Sequence, residues 1–130
     1  MCLASIVMTD VASTSIVHFA TAPAEVTHST PAPERLLSGD PRHVVRNFFS
    51  DPTGQFFAGV WESTPGRWRV RYTEDEFCCI TRGRVRIEDQ RGASWTFAAG
   101  DAFVIPAGFA GVWEVLEPTS KFYAIFEASK

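Results

Sequence analysis

The sequence places one carboxylate among aromatic residues at the spacing of alternate positions in β-strands. Because successive side chains point to opposite faces of a strand, residues two apart share a face. On this basis one face of the predicted strands combines Glu76 with large rings and small apolar groups: Trp68, Val70, Tyr72, Cys78, Ile80, Gly111, Trp113 and Val115. Such a set would form an aromatic-lined cavity, in which a carboxylate is suited to proton transfer or to binding an amine.

Two interpretations of Glu76 follow from its type and position. In the first it is the catalytic or ligand-binding carboxylate of the cavity. In the second it is a structural group, hydrogen-bonded to Tyr72 or to a lysine. Lys121, which begins the last predicted strand, could reach the same wall and pair with a carboxylate, although most lysines are solvated at the surface. Trp61 and Trp113 are likewise either walls of a ligand site or ordinary core residues.

The elements that must position these residues are short strands separated by turns. Runs of alternating or apolar residues recur every 8–12 positions, which is typical of an all-β sandwich or barrel. The predicted strands are 44–49, 55–63, 67–72, 76–82, 84–88, 93–97, 102–105, 109–116 and 121–126. Turn chemistry separates them at 50–54, 82–83, 89–92 and 99–101. With one further strand at 15–19, the sequence predicts about ten short strands and no long helix.

The part of the chain before residue 44 predicts little regular structure. We expect residues 1–14 to be a loose N-terminal arm and residues 15–19 to be a short edge strand. Residues 21–41 carry four of the eight prolines, so we expect a surface connection with at most one helical turn at 33–37. The predicted organisation is one domain over 15–130 with its barrel core at 44–127.

Composition indicates a soluble cytoplasmic protein. Three cysteines, two of them the adjacent Cys78 and Cys79, are unsuited to a disulfide framework and favour a reducing compartment. The mildly apolar N-terminus has no basic region in front of it, so we expect no signal peptide. No apolar run approaches the length of about 20 residues that a membrane-spanning helix needs.

A row of arginines lies on the strand face opposite the aromatics. Its members are Arg67, Arg69, Arg71, Arg84 and Arg86. Aromatic residues on the same face would be needed for a nucleic-acid platform, and the formal net charge of −3 disfavours phosphate binding. We therefore expect these arginines to be solvated or paired across strands with residues such as Glu88, and we expect no nucleic-acid partner.

Two spacings in the chain resemble the motifs of the cupin superfamily. The matching residues are Glu76 and Gly83 for the end of the first motif, and Gly100, Asp101, Pro106 and Gly108 for the start of the second. Further marks resemble the branch that contains ureidoglycine aminohydrolase and the ethanolamine-utilisation cupin: residues 59–62, 65–66, 75–77, 111–114 and Lys121. The resemblance covers about residues 45–127. It implies a double-stranded β-helix, or jelly-roll barrel, that is usually dimeric and has its site in the barrel mouth.

The residues that would bind metal in such a family are absent here. The first-motif histidine positions fall on Val70 and Tyr72, or on Arg69 and Arg71 in the alternative spacing, and the second-motif histidine falls on Gly111. His18, His28 and His43 all precede the motifs. Glu76 alone remains, and one carboxylate does not hold a transition metal, because affinity requires several converging ligands. We therefore expect no metal and no other cofactor.

The sequence thus predicts a homodimeric cupin that binds a small metabolite, with a link to nitrogen or amine metabolism that only the resemblance implies. The predicted ligand-binding residues are Tyr72, Trp61, Trp68, Trp113 and Lys121, and Glu76 is the predicted catalytic residue. Two alternatives remain open: a metal-independent isomerase or lyase that uses Glu76 as general acid and base, and a non-catalytic dimeric sensor or accessory protein. Whether the chain is an enzyme is undecided by its sequence.

Overall fold

A computed structural model describes residues 14–129, and these residues form nine β-strands joined by turns. The strands are β1 Glu25–Ser29, β2 Leu36–Gly39, β3 His43–Ser50, β4 Phe56–Ser63, β5 Gly66–Arg71, β6 Asp75–Asp89, β7 Ser94–Ala98, β8 Ala102–Ile105 and β9 Ala110–Phe126. All pairings between them are antiparallel. The predicted all-β fold is confirmed. No helix in the described part of the chain is long and apolar enough to cross a membrane.

The two long strands β6 and β9 pair along their whole length and divide the sheet into two halves. The first half has the order β1-β3-β4-β9-β6-β8 and uses the end of β9 with the start of β6. The second half has the order β2-β5-β9-β6-β7 and uses the other ends of the two long strands. Because both halves share β6 and β9, a bend in these two strands turns one half over the other.

The bend falls at Gly83, where the sequence predicted a turn between two separate strands. Gly83 has φ +90°, a conformation that glycine adopts readily, and the β6–β9 register shifts around it. The buried hydroxyl of Thr119 on β9 accepts a hydrogen bond from the Arg84 backbone N–H at 3.1 Å. The irregularity is therefore a β-bulge that bends β6 without ending it. On the partner strand, the sequence predicted two separate strands at 109–116 and 121–126. The structure has the single strand β9 there.

The N-terminal predictions need correction. Residues 15–19 do not form the expected edge strand, and Ile16 is 93% exposed. Residues 21–41 were predicted to lack regular structure but contain β1 and β2. Both strands lie between prolines, at segments where every residue can donate to the sheet, so the prediction was wrong to treat the whole segment as irregular. The predicted arm lies outside the described residues except for Thr14.

The core lies between the two halves of the sheet. Its buried residues come from alternate positions of four strands: Trp68, Ile80, Val85, Ile87, Ile105, Trp113 and Val115. This alternation is the one that the sequence predicted for the face containing Trp68 and Trp113. Of the arginines on the opposite face, Arg67 is half-buried and the others are exposed. Glu88 forms ion pairs with Arg86 at 3.5 Å and with Arg67 at 3.9 Å.

We expect Gly83→Ala to lower the free energy of unfolding more than Gly92→Ala does. Both glycines have the same backbone conformation, φ +90° and +92°, so both alanines are strained to a similar degree. Only at Gly83 would the new Cβ also clash with the Pro118 carbonyl and Thr119, whereas nothing lies within 4 Å at Gly92. The expected losses in urea unfolding are about 2–4 kcal/mol for Gly83→Ala and about 1–2 kcal/mol for Gly92→Ala. Equal losses would mean that the bulge relaxes around a methyl group.

Candidate functional site

A cavity of about 490 Å³ opens between β5, β9 and the segment before β2. All six residues that the sequence predicted for a site line it: Trp61, Trp68, Tyr72, Glu76, Trp113 and Lys121. They come from four strands and a strand end, so the fold assembles them from positions up to 60 residues apart. The cavity lies within the range of about 300–1,000 Å³ that is usual for small-molecule sites.

The floor of the cavity is an ion pair between Lys121 and Glu76. The Lys121 Nζ donates to the Glu76 Oε2 at 2.9 Å, and the two residues are only 3% and 6% exposed. Ile80, which faces Lys121 across the β6–β9 ladder, and Ile125, which faces Glu76, exclude water from the pair. Glu76 therefore pairs with a lysine. This contact is the one expected in the second interpretation of Glu76, in which the carboxylate is a structural group.

The charge of Lys121 depends on this pairing. Burial lowers the pKa of the ammonium, but the adjacent Glu76 carboxylate outweighs burial and holds the pKa of Lys121 above its usual value. Because the folded pKa is the higher one, the contribution of the protonated Lys121 to stability is fully present below the pKa of an unfolded lysine. The stabilisation is lost as the pH rises through the pKa of the folded residue.

Two tryptophans cover the ammonium. The Lys121 Nζ lies 4.5 Å from the ring centroid of Trp113 and 4.8 Å from that of Trp61. Trp68 stacks against Trp113 with an interplanar angle of 16° and forms the next part of the wall. These contacts are cation–π interactions in a desolvated setting, where each contributes about 2 kcal/mol. The rings are thus part of the polar site as well as of the core.

Tyr72 and Cys78 complete the polar cluster on the floor. Burial, together with the Glu76 carboxylate, raises the pKa of the Tyr72 hydroxyl well above its usual value. Burial also raises the pKa of the Cys78 thiol to about 12, although the Lys121 Nζ is only 3.4 Å from the Cys78 Sγ. The thiol is therefore protonated and unsuited to act as a nucleophile, in agreement with its prediction as a small apolar group.

Sequence reasoning missed His43, which lines the cavity beside the tryptophans. Its ring centroid lies 4.7 Å from that of Trp68 and 5.3 Å from that of Trp61, and its Nε2 is buried without a hydrogen-bond partner in the described residues. Burial, with a smaller effect from Lys121, lowers the pKa of His43. The imidazole is therefore neutral at pH 7. The alternation of β3 could have indicated that His43 shares a face with other inward residues. The predicted strand, however, began at residue 44 and left His43 out.

A second cavity of about 270 Å³ lies behind Glu76 and shares Trp61 and Ile125 with the first. Here the Tyr123 hydroxyl donates to the Asn47 Oδ1 at 2.7 Å. Burial, followed by the Glu76 carboxylate, raises the pKa of Tyr123 to about 12. Neither Tyr123 nor Asn47 was predicted, although Tyr123 is two residues from Lys121 and so had to share its face. Glu76 lines both cavities.

The residues on the floor do not fit a cupin-type metal ion. The Lys121 ammonium occupies the space beside the Glu76 carboxylate in which a coordinated cation would have to lie. A side chain at Gly111 would place its Cβ against the Glu88 carbonyl oxygen, so the histidine of the second motif could not be restored there without moving the backbone. In residues 14–129 no three His, Cys, Asp or Glu side chains converge into a metal-binding group. A carboxylate, a phenol and an ammonium are not a transition-metal donor set.

Fold and site together define a small cupin whose barrel contains a buried ion pair. A family model for the EutQ-like cupin domain matches residues 50–123, more than half of the chain. The chain therefore belongs to the EutQ-like cupin domain family. The recognition of a cupin from the spacing of Glu76, Gly83, Gly100 and Pro106 is confirmed. No protein of curated function matches the sequence.

Solved structures agree with this assignment. A protein of unknown function from Pseudomonas syringae pv. tomato, a member of the DUF861 family, is 30% identical over 78% of this chain, with a TM-score of 0.71. EutQ from Clostridium difficile is 17% identical over 68% of the chain, with a TM-score of 0.61. A putative ethanolamine utilization protein Q from Salmonella typhimurium is 17% identical over 67% of the chain, with a TM-score of 0.60. The chain spans 44%, 65% and 71% of these three proteins, respectively.

We expect the effects of Lys121→Met and Glu76→Gln on stability to be strongly non-additive. Either single change leaves one buried charge without its partner, which costs about 3–5 kcal/mol. Removing both charges restores a neutral floor, so the double variant should be less destabilised than the sum of the two single variants. Urea unfolding of the wild type and the three variants measures this coupling.

The matched control is the more exposed Arg46–Glu62 pair between β3 and β4. Arg46→Met and Glu62→Gln should show a coupling of about 1 kcal/mol or less, because solvent screens this pair. A coupling for Lys121 and Glu76 as small as that of the control would contradict the role assigned to the buried pair.

Proposed function

We propose that this protein binds a small polar metabolite in the cavity whose floor is the Lys121–Glu76 ion pair. The observation that carries the proposal is a buried pair of opposite charges whose two residues both line an open cavity. A charged pair buried only for stability gains little over an apolar replacement, because desolvation offsets the attraction. On the wall of a cavity, such a pair can also orient a bound ligand.

The ring-lined wall supports a ligand with an apolar body. Trp61, Trp68 and Val70 form one side of the cavity, and small-molecule sites are usually apolar surfaces with a few convergent polar groups. The open volume also favours this proposal over the alternative of a non-catalytic accessory protein whose barrel is filled by its own aromatics. A link to amine metabolism rests on likeness to the ethanolamine utilization protein, and at 17% identity that likeness carries the fold alone.

A second candidate is a metal-independent isomerase or lyase. It is favoured by the position of Glu76, which contacts Lys121 and has the Tyr72 hydroxyl within electrostatic reach. In such a reaction Glu76 would take a proton from the ligand and return it at another atom, while the Lys121 ammonium would stabilise the negative charge that develops. Tyr72, protonated at neutral pH, would donate to the same oxygen.

A cytoplasmic location remains part of the proposal. Cys78 and Cys79 are free thiols on opposite faces of β6, and a reducing compartment keeps such thiols free.

We expect compounds of a diverse metabolite library to shift the indole N–H signals of the cavity tryptophans in NMR spectra. Trp61, Trp68 and Trp113 should respond, because they line the cavity, whereas Trp95 lies in a separate groove and serves as the internal control. Val70→Trp should abolish the shifts by filling the cavity. A library that moves none of the three signals, or moves Trp95 equally, would contradict the proposed site.

Glu76→Gln separates an enzyme from a binder. For a ligand found in this way, an isomerase or lyase should exchange a carbon-bound hydrogen of the ligand with deuterated solvent, and Glu76→Gln should lower that exchange by about 100-fold or more. A binder should show no exchange in either form.

Elemental analysis of the same sample is expected to find no stoichiometric Mn, Fe, Ni or Zn. A stoichiometric metal would contradict the conclusion that the residues on the cavity floor do not fit a metal ion.

We also propose that the chain forms a homodimer, as the resemblance to cupins implies, through an exposed apolar face of the sheet. The outer face of the first half of the sheet is apolar and exposed. It carries Phe77 opposite Val104 and Phe56 opposite Phe126, at exposures of 40–61%. Contiguous apolar surface of this kind marks an interaction site, and a second copy of the same face is a self-complementary partner.

Light scattering at micromolar concentration is expected to give a dimer. The double variant Phe77→Glu/Val104→Glu should be monomeric, because four carboxylates would be buried in the dimer interface. Leu116→Glu, an apolar-to-acidic change at an exposed site elsewhere on β9, is the matched control and should remain dimeric. A wild-type monomer would refute this part of the proposal.

A further inference from the structure

The cavity carries an excess of positive charge. Four cationic residues line it, namely Lys121, Arg35, Arg69 and Arg71, against the two acidic residues Glu74 and Glu76. Glu76 is already engaged by Lys121. The three arginines form no ion pair with any described residue. The cavity mouth therefore has three arginines outside any ion pair and one acidic residue, Glu74.

The position of these arginines follows from the backbone. The Arg69 N–H donates to the Arg35 carbonyl oxygen at 2.9 Å, which ties the turn before β2 to β5 at the mouth of the cavity. Guanidinium groups bind carboxylates through paired N–H donors, so two arginines held at one opening form a suitable anion site.

The floor presents hydrogen-bond donors that lack acceptors. The Trp113 Nε1 is buried without a partner in the described residues, although the Tyr72 hydroxyl is near enough to interact with it. An indole N–H can only donate. The Lys121 ammonium has three N–H groups, and two of them are used by the Glu76 Oε2 and the Cys78 Sγ. The ammonium also lies near the faces of Trp61 and Trp113, and Lys121 is one of the residues that line the cavity.

His43 adds a third unsatisfied group next to these donors. Its Nε2 is buried and unpartnered within residues 14–129, and a neutral imidazole can donate through this nitrogen. Unpaired buried donors cost about 1–3 kcal/mol each, which a bound acceptor would recover. The cavity therefore has more buried donors than acceptors at its floor and more cations than anions at its mouth.

Resting on the binding function proposed above, we infer that the ligand is a small organic carboxylate that carries a second, carbonyl-type oxygen. The carboxylate lies at the mouth against Arg35 and Arg69. The second oxygen accepts hydrogen bonds at the floor from Trp113 and Lys121. The apolar carbon chain between the two groups lies against Trp68 and Val70.

The same arrangement disfavours an amine. A ligand ammonium at the floor would have to approach Lys121, and the one carboxylate there is already paired. A second cation beside a buried one is repelled in a low-dielectric setting. The amine predicted from Glu76 alone is therefore replaced by an anion, because the tertiary structure supplies the counter-ion of Glu76 from within the chain.

Four probes of matched chain length test the inference by NMR titration. Levulinate has both the carboxylate and the ketone; methyl levulinate lacks the charge, pentanoate lacks the ketone, and pentylamine reverses the charge. We expect levulinate to bind at least about tenfold more tightly than the other three. Its binding should move the Trp113 indole N–H signal downfield, as a new hydrogen bond does, and leave the Trp95 signal in place.

Variants at the mouth provide a second measurement. Arg35→Gln/Arg69→Gln should weaken levulinate binding by about 3- to 10-fold and leave methyl levulinate unchanged, since only the charged contact is lost. Arg84→Gln, at an arginine that does not line the cavity, is the matched control and should bind levulinate as the wild type does.

The outcomes distinguish failure of this inference from failure of the proposed function. Tighter binding of pentylamine, or equal binding of methyl levulinate or pentanoate, would overturn the inference while leaving the cavity a binding site. An unchanged affinity in Arg35→Gln/Arg69→Gln would overturn the placement of the carboxylate. If none of the four probes moves a cavity indole signal at tens of millimolar, the inference is overturned, and the metabolite library then decides the proposed function independently.

Discussion

A lysine ammonium buried inside a β-barrel needs an opposite charge beside it, and this requirement organises the centre of the protein. Lys121 lies on β9 and Glu76 on β6, the two long strands that both halves of the sheet share. Their contact therefore joins the two central strands in the interior. Two tryptophan faces above the ammonium and two isoleucines beside the pair keep water away. The attraction is strong for that reason, and the loss of either charge would be costly.

The bulge at Gly83 helps to position the Lys121–Glu76 pair beside the cavity. It bends β6 over the core, so that the first part of the strand can carry Glu76 toward the cavity while the second part pairs with β7 and packs Val85 and Ile87 inside. A straight strand would present all these residues to one flat sheet. The barrel mouth exists because the bend turns the two halves of the sheet toward each other.

The ion pair also changes what the cavity can bind. With Glu76 paired from within the chain, the other polar groups of the cavity are mostly donors, namely the Trp113 indole and the arginines at the mouth, with Glu74 as the second acidic residue. The Lys121 ammonium occupies the space beside the Glu76 carboxylate in which a coordinated cation would lie. A metal ion polarises a ligand oxygen as a Lewis acid, and a fixed ammonium can stabilise the same oxygen by charge and hydrogen bonding.

Much of the fold was predictable from local pattern. Period-two alternation around Trp68 and Glu76, with glycine turns at regular intervals, indicated an all-β chain, and the spacing of Glu76, Gly83 and Gly100 identified the superfamily. The wrong predictions of strand boundaries arose where one local sequence pattern is compatible with two different structures. Gly83 suits a turn and a bulge equally, and only the continued pairing with β9 made it a bulge. The prolines of 21–41 obscured two short strands whose partners lie elsewhere in the chain.

The sequence by itself determined which residues share a face, because alternation along a strand depends only on neighbouring positions. Together with the likeness to cupins, that alternation was sufficient to group six residues of the candidate site. Only the tertiary structure decided which of them are in contact: that Glu76 meets Lys121, that His43 joins the tryptophans, and that arginines reach the mouth. Those contacts depend on strand register and on the bend of β6. Both are set by pairings between residues far apart in the chain, such as Phe56 with Phe126, and these pairings leave no periodic signal in the sequence.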